Sequence, residues 1–270
     1  MPELPEVETT KAGVAPYCEG KKLSKLIVRN PNLRWPVPDD LTLKIEGKKL
    51  LDLSRRGKYL LFRFNNGTAL LHLGMSGNLR VMPTGAESGK HDHVDLCFGK
   101  QCLRLNDPRR FGCLLWTEED VTQHPLIQHL GPEPLTDAFD AAYLYHKSRK
   151  RSQALKSFLM DSKTVVGVGN IYANEALFKA GLHPLKPAGK LSKAKAELLV
   201  EQIKLTLAEA IKQGGTTLKD FVGGDGKPGY FAQKLKVYGR GGEPCVVCSK
   251  PLTEKQISAR ATVYCTHCQK

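Results

Sequence analysis

Four cysteines near the C-terminal end constrain this chain more tightly than any other feature. Cys245-x-x-Cys248 is followed, after sixteen residues, by Cys265-x-x-Cys268. Two such knuckles offer four thiolates at the spacing of a tetrahedral zinc site, with the residues between them forming a hairpin. Four protein ligands leave no open coordination position, so the expected cofactor is one structural Zn2+. The other cysteines, Cys18, Cys97, Cys102 and Cys113, are scattered, three of them in apolar strand-like runs. They read as small buried hydrophobes, and with no secretion signal no disulfide is expected.

Charge says what such a ribbon is for. From Gln233 onwards the tail carries seven Lys/Arg against two Glu, and the whole 270-residue chain has 41 basic and 27 acidic residues, a net charge of +14. An excess of this size points to a polyanion, and nucleic acid leads. An anionic membrane would call for a basic amphipathic helix or a lipidation motif, and neither is present; no apolar run is long enough to span a bilayer.

Between about residues 22 and 118 the chain reads as short strands. "LLDLS", "YLLFRF", "ALLHL", "NLRVM", "VDLCF" and "CLRL" are separated by turn words such as "RRGK", "NNG", "GMSG" and "DPRRFG". This pattern predicts an antiparallel sandwich or barrel. A first helix is expected to lie on it, with Pro5 in its first turn, Glu3 and Glu6 at its positive end, and Gly13 and Pro16 limiting its length. A polar, proline-containing linker follows over 119–140, and then helices. "SKAKAELLVEQIKLTLAEAIKQGG" offers Ser192 as N-cap and a stripe through Leu199, Ile203, Leu207, Ala210 and Ile211. "GVGNIYANEALFKAG" reads as a turn, a cap at Asn170 and a short helix. The expected class is therefore α+β and multidomain, divided at 1–130, 131–232 and 233–270.

Several turns carry side chains with two readings. Gly167-x-Gly169 lacks the third glycine of a dinucleotide fingerprint, but a turn feeding a helix start suits a phosphate as well as a plain cap. Met75 in "GMSG" and Arg109, Arg110 and Phe111 in "DPRRFG" read either as packed loop residues or as wedges that enter a duplex and unstack bases. In "HDH", His91 and His93 fit a phosphate contact or packing better than a metal. Lys58 at the "RRGK" turn reads as a solvated charge, and Arg260 between the knuckles either as a solvated hairpin charge or as a side chain that reaches a phosphate or a reaction centre.

Taken in order, "MPELPEVE", "RRGKYLL", "HLGMSG", "DPRRFG", "VVGVGNIYANEALF", "GGDGKPGYF" and "ARATVYC" resemble the bacterial formamidopyrimidine-DNA glycosylase family over essentially the whole chain. The resemblance implies an N-terminal helix on a β-sandwich, a helix–two-turn–helix domain and a zinc ribbon. It implies a bacterial base-excision repair enzyme acting on double-stranded DNA that contains oxidised bases. A cytoplasmic location is expected from the lack of a secretion signal, and a monomer because nothing suggests a self-complementary apolar helix. The expected reaction removes 8-oxoguanine and formamidopyrimidines and then nicks the strand. Carried over, Pro2 is the nucleophile, Glu3 the acid for sugar ring opening, Lys58 a lysine of the elimination step, and Arg260 a phosphate grip. Met75, Arg109 and Phe111 fill the gap left by the extruded nucleotide, and His91, Lys150 and Asn170 are further DNA contacts. The resemblance leaves the residues that cap the flipped lesion open, with the "GGDGKPGYF" loop and Lys219 as the candidate. Leu4 follows Glu3 where the endonuclease VIII branch typically has glycine, which favours oxidised purines over oxidised pyrimidines. A non-catalytic zinc-ribbon lesion binder is the remaining alternative.

The chemistry fits Pro2. An α-amino group titrates near ~8, so a usable fraction is neutral at cellular pH and able to attack a sugar C1′. A secondary amine forms only a cationic iminium, which acidifies C2′ and opens the way to elimination. Met1 must first be removed, because while it is attached the Pro2 nitrogen is an amide.

Overall fold

The computed structural model describes residues 2–216 and 234–270; the "GGDGKPGYF" stretch and Lys219 lie outside the described residues. The chain forms two compact units, the first made of residues 2–129 with 213–216 and the second of 130–212 with 234–270.

The first unit begins with helix α1 (Leu4–Cys18), then β1 (Lys25–Val28) and the short α2 (Leu41–Ile45). Seven strands follow: β2 (Asp52–Arg56), β3 (Tyr59–Phe64), β4 (Gly67–His72), β5 (Asn78–Pro83), β6 (Asp92–Phe98), β7 (Gln101–Asn106) and β8 (Cys113–Thr117). They pair into two antiparallel four-stranded sheets, β1-β6-β7-β5 and β2-β3-β4-β8. Leu60, Phe62, Leu71, Leu79, Leu96, Leu103 and Leu114 from both sheets share one core with Val7 and Val14 of α1. Burying such side chains contributes roughly 1.5–3 kcal/mol each. The six apolar words all became strands; β1 and β8 are additional.

α1 runs through Gly13 and Pro16, beyond its expected limit. Proline costs a helix its own N–H and the bond to residue i−4, a loss that falls only in the last turn here. Val14 and Cys18 are fully buried, and the Glu19 N–H closes the end onto the Ala15 carbonyl at 3.0 Å, so packing overrides propensity.

A second correction concerns cysteine. Cys97 and Cys102 stand opposite each other across the β6–β7 hairpin and are joined as a disulfide. Antiparallel register brings residues five apart face to face around the Gly99–Lys100 turn. Cys18 and Cys113 are buried thiols as expected, and burial pushes both up to about 12.

The second unit contains α3 (Ala141–Ser148), α4 (Leu155–Met160), α5 (Asn170–Lys179), α6 (Lys193–Lys212) and the hairpin β9 (Thr253–Ile257) with β10 (Arg260–Tyr264). α6 buries Leu199, Ile203, Leu207 and Ala210 along the expected stripe, and Ser192 Oγ accepts from Lys195 N at 3.3 Å. Asn170 is the first residue of α5 rather than its cap, which is Gly169. No described helix is long and apolar enough to cross a membrane.

Candidate active site

The start of α1 is organised by the hydrogen bonds of its own carboxylates. Pro2 and Glu3 are both buried, and Glu3 caps the helix with Glu6 three residues on, in a capping box. The Glu3 N–H donates to Glu6 Oε2 at 2.8 Å, and Glu6 Oε1 accepts from Thr216 N at 2.8 Å. Glu6 thus holds the backbone of Glu3 with one oxygen and a distant loop with the other. Composition hides this role, because a first-turn glutamate is ordinary.

Lys58 sits with Gly57 in the two-residue turn joining β2 to β3, Gly57 supplying the positive φ of 59°. The hairpin is tied to α1 through Arg55, whose Nε donates to Glu8 Oε2 at 2.7 Å and whose NH1 donates to the Gly57 carbonyl at 2.9 Å. Burial raises Glu8, but hydrogen bonds from Lys11 and Arg55 outweigh it and hold the carboxyl below its ordinary value. The His72 ring lies 4.8 Å from that of Tyr59, the neighbour of Lys58, tilted by 52°. Desolvation, with Lys58 and Arg34 nearby, pushes His72 down to about 4. The imidazole is therefore neutral at physiological pH, with Nδ1 accepting from Gly74 N at 2.9 Å.

Met75 and the Arg109–Phe111 stretch lie on two neighbouring turns. Phe111 is 41% exposed, with the Arg109 guanidinium 4.6 Å above its ring. His91 precedes β6 and its carbonyl accepts from Asp107 N at 3.0 Å. His93 is buried, with Nε2 2.9 Å from the Asp107 carbonyl, so packing rather than metal explains it.

The second unit carries the remaining predicted residues. Lys150 is exposed in a left-handed conformation (φ 58°) just after α3. Before it, Arg149 lies 4.1 Å over the Tyr145 ring and donates to the Tyr145 and Leu191 carbonyls. Asn170 Oδ1 is buried with no hydrogen-bond partner among the described residues, at the N-terminal end of α5 where anions are favoured. Arg260 opens β10 after the left-handed pair Ser258 and Ala259. It lines a cleft of about 230 Å3 with Lys156, Met160, Asp161 and Ser258.

Three buried polar residues that the sequence did not single out fasten the ribbon to the helices. Lys156 Nζ donates to the Ala261 carbonyl at 2.8 Å and to Thr262 Oγ1 at 2.7 Å. Asn174 Oδ1 accepts from Val263 N at 2.9 Å. Glu175 accepts from the backbone N–H groups of Lys236, Val237 and Tyr238, each at 2.9 Å. The signal for two of them was the Asn174-Glu175 pair in the largely apolar α5; Lys156 on α4 gave none.

The four thiol sulfurs of Cys245, Cys248, Cys265 and Cys268 lie within 4.8 Å of one another, with Cys245–Cys268 at 3.9 Å and Cys248–Cys265 at 3.4 Å. Zn–S bonds of about 2.3 Å at tetrahedral angles place sulfurs about 3.8 Å apart, so the set fits one zinc ion.

Three family models match along the chain: the formamidopyrimidine-DNA glycosylase N-terminal domain over 1–114, its H2TH domain over 130–222, and the zinc finger found in FPG and IleRS over 242–270. The chain belongs to the formamidopyrimidine-DNA glycosylase family. The family's protein of that name from Saccharophagus degradans is 62% identical, and that from Cellvibrio japonicus 59%, each over the full length of both chains. Among solved members, MutM (Fpg) of Thermus thermophilus matches with TM-score 0.90 at 38% identity, over 99% of this chain and 98% of that one. Lactococcus lactis Fpg in complex with DNA containing an abasic site matches with TM-score 0.92 at 33% identity, over 99% of each. Zinc is the structural cofactor of the ribbon in this glycosylase family, and the four cysteines here meet its requirements.

Proposed function

We propose that this chain is a bifunctional DNA glycosylase and abasic-site lyase of base excision repair, excising 8-oxoguanine and formamidopyrimidines from duplex DNA. The observation that carries the reading is full-length identity of 62% to a formamidopyrimidine-DNA glycosylase, together with a buried Pro2–Glu3 pair at a helix start. Structures of Lactococcus lactis Fpg bound to abasic-site DNA and, as a mutant, to Fapy-dG-containing DNA support the substrate class.

Once Met1 is removed, the Pro2 nitrogen attacks C1′ of the extruded nucleotide. Glu3 donates a proton to the sugar ring oxygen, the ring opens, and the base departs with its bonding electron pair and takes up a proton. The resulting iminium acidifies C2′–H; loss of that proton expels the 3′ phosphate, and a second elimination expels the 5′ phosphate. Lys58 serves the elimination steps from its hairpin turn. Met75, Arg109 and Phe111 occupy the space the nucleotide leaves, which offsets an unstacking cost of a few kcal/mol. His91, Lys150, Asn170 and Arg260 hold the backbone, and zinc stiffens the hairpin that carries Arg260. Functional boundaries at 1–130, 131–232 and 233–270, a monomeric state and a cytoplasmic, nucleoid-associated location belong to the same proposal.

Borohydride trapping tests it. Wild type is expected to give a covalent adduct with 8-oxoguanine duplex, cross-linked through the Pro2 nitrogen. Faster cleavage of thymine glycol than of 8-oxoguanine would overturn the substrate assignment, and an adduct mapped by peptide mass spectrometry to a residue other than Pro2 would overturn the nucleophile.

A further inference from the structure

Asp107 makes no contact with the groups that perform the chemistry, yet it is a completely buried carboxylate. A buried charge persists only where its acceptor positions are filled. Oδ1 accepts from Ser76 Oγ at 3.0 Å and from Arg109 N at 3.3 Å, and Oδ2 accepts from Gly112 N at 2.8 Å. Two of these donors flank Phe111 within the "DPRRFG" loop. The third, Ser76, lies 31 residues away in the β4–β5 turn, next to Met75. One carboxylate therefore spans both turns that carry the proposed wedge.

The two turns also touch through backbone. Gly74 has φ +68°, and a Cβ there would lie 2.5 Å from Gly112 N and from the Phe111 carbonyl carbon. A Cβ on Gly112 would meet the His72 carbonyl at 2.6 Å and Asp107 Oδ2 at 3.2 Å. Arg110 takes a left-handed φ of 55° and donates its N–H to the Asp107 carbonyl at 3.1 Å. Side-chain bonds, missing Cβ atoms and a strained residue converge on one junction.

We infer that Asp107 is a positioning residue that couples the Met75 turn to the Arg109–Phe111 loop, so that the side chains of both enter the duplex as one body. Separate loops would each have to be ordered on insertion, and each would add an entropic cost. The inference rests on the wedge reading of Met75, Arg109 and Phe111 given above.

The test separates insertion from chemistry. Single-turnover excision from an 8-oxoguanine duplex, with 2-aminopurine fluorescence beside the lesion reporting unstacking, is compared with cleavage at a preformed abasic site in a single strand. Asp107→Asn turns one acceptor into a donor facing a donor. It is expected to slow duplex excision and the fluorescence rise by about 30-fold, the scale of a lost buried charge-assisted hydrogen bond, with single-strand cleavage changed by less than about twofold. Ser76→Ala removes only the arm between the turns; about fivefold loss on the duplex alone is expected, and this variant decides the matter if Asp107→Asn does not fold. Equal losses on both substrates, or no loss on the duplex, would overturn the coupling. Met75→Ala and Phe111→Ala are run alongside. If they leave duplex excision intact, the wedge reading falls and the coupling with it; if they slow it while Ser76→Ala does not, only the coupling falls.

Discussion

Around the start of α1, the side chains proposed for the chemistry stand on a unit with a continuous apolar core that includes Val7, Leu60, Phe62 and Leu71. The zinc ribbon has only a small core, with Val237, Leu252 and Val263 packed against Phe178 and the cysteines. What the ribbon has instead is a four-cysteine set that fits one zinc ion and the buried hydrogen bonds of Lys156, Asn174 and Glu175. A hydrophobic core spreads its stabilisation over many contacts, whereas a metal and a few buried polar bonds concentrate it in a handful of atoms. One substitution in the first removes a small share of the whole, whereas loss of one ligand in the second removes most of it.

That contrast is open to attack most forcefully at the metal. Chelation, or Cys265→Ser, is expected to unfold the ribbon and lower strand nicking at least ~100-fold, because metal binding free energy is folding free energy in such modules. Zinc release with proteolytic sensitivity confined to residues 234–270 would bear this out; simultaneous melting of the sandwich would break the comparison. On the other side, Phe62→Ala should cost the sandwich about 3–5 kcal/mol in denaturant unfolding while leaving zinc retention unchanged.

Glu175→Gln sharpens the difference. An amide has one oxygen to offer where the carboxylate serves three N–H groups, and a loss of about 2 kcal/mol is expected, read as faster hydrogen exchange at Lys236–Tyr238. The smallest effect concerns pH. The folded-state pKa of His72 is lowered from 6.5 to about 4, so between those values the unfolded chain binds more protons and stability rises with pH. The contribution is complete above pH 6.5 and is lost as pH falls toward 4. His72→Asn keeps an acceptor for Gly74 N but does not titrate, so it should flatten that slope across the window, read from denaturant unfolding at successive pH values. An unchanged slope would reassign the titration to another group.

The ribbon was legible because its ligands are close in sequence and their chemistry is distinctive. The strands were legible because apolar runs and turn words alternate over short distances. Asp107 was not, since its partner Ser76 is 31 residues away and neither residue breaks a periodic pattern. Glu175 was hidden for the same reason: the N–H groups it serves lie 61 to 63 residues downstream. The Cys97–Cys102 pair was visible as two cysteines but not as a bond, because only the hairpin register sets them face to face. Helix α1 passed its apparent stop signals because burial of Val14 and Cys18 outweighs a local preference.

The Glu6–Thr216 hydrogen bond spans 210 residues of sequence. A ribosome makes the chain from its N-terminus, so this bond has no donor until residue 216 of 270 has emerged. The start of α1, which Glu3 caps, therefore stays incomplete until a segment 210 residues downstream has been made. Nascent chains halted before that point would carry the proposed Pro2–Glu3 pair on an unfinished scaffold.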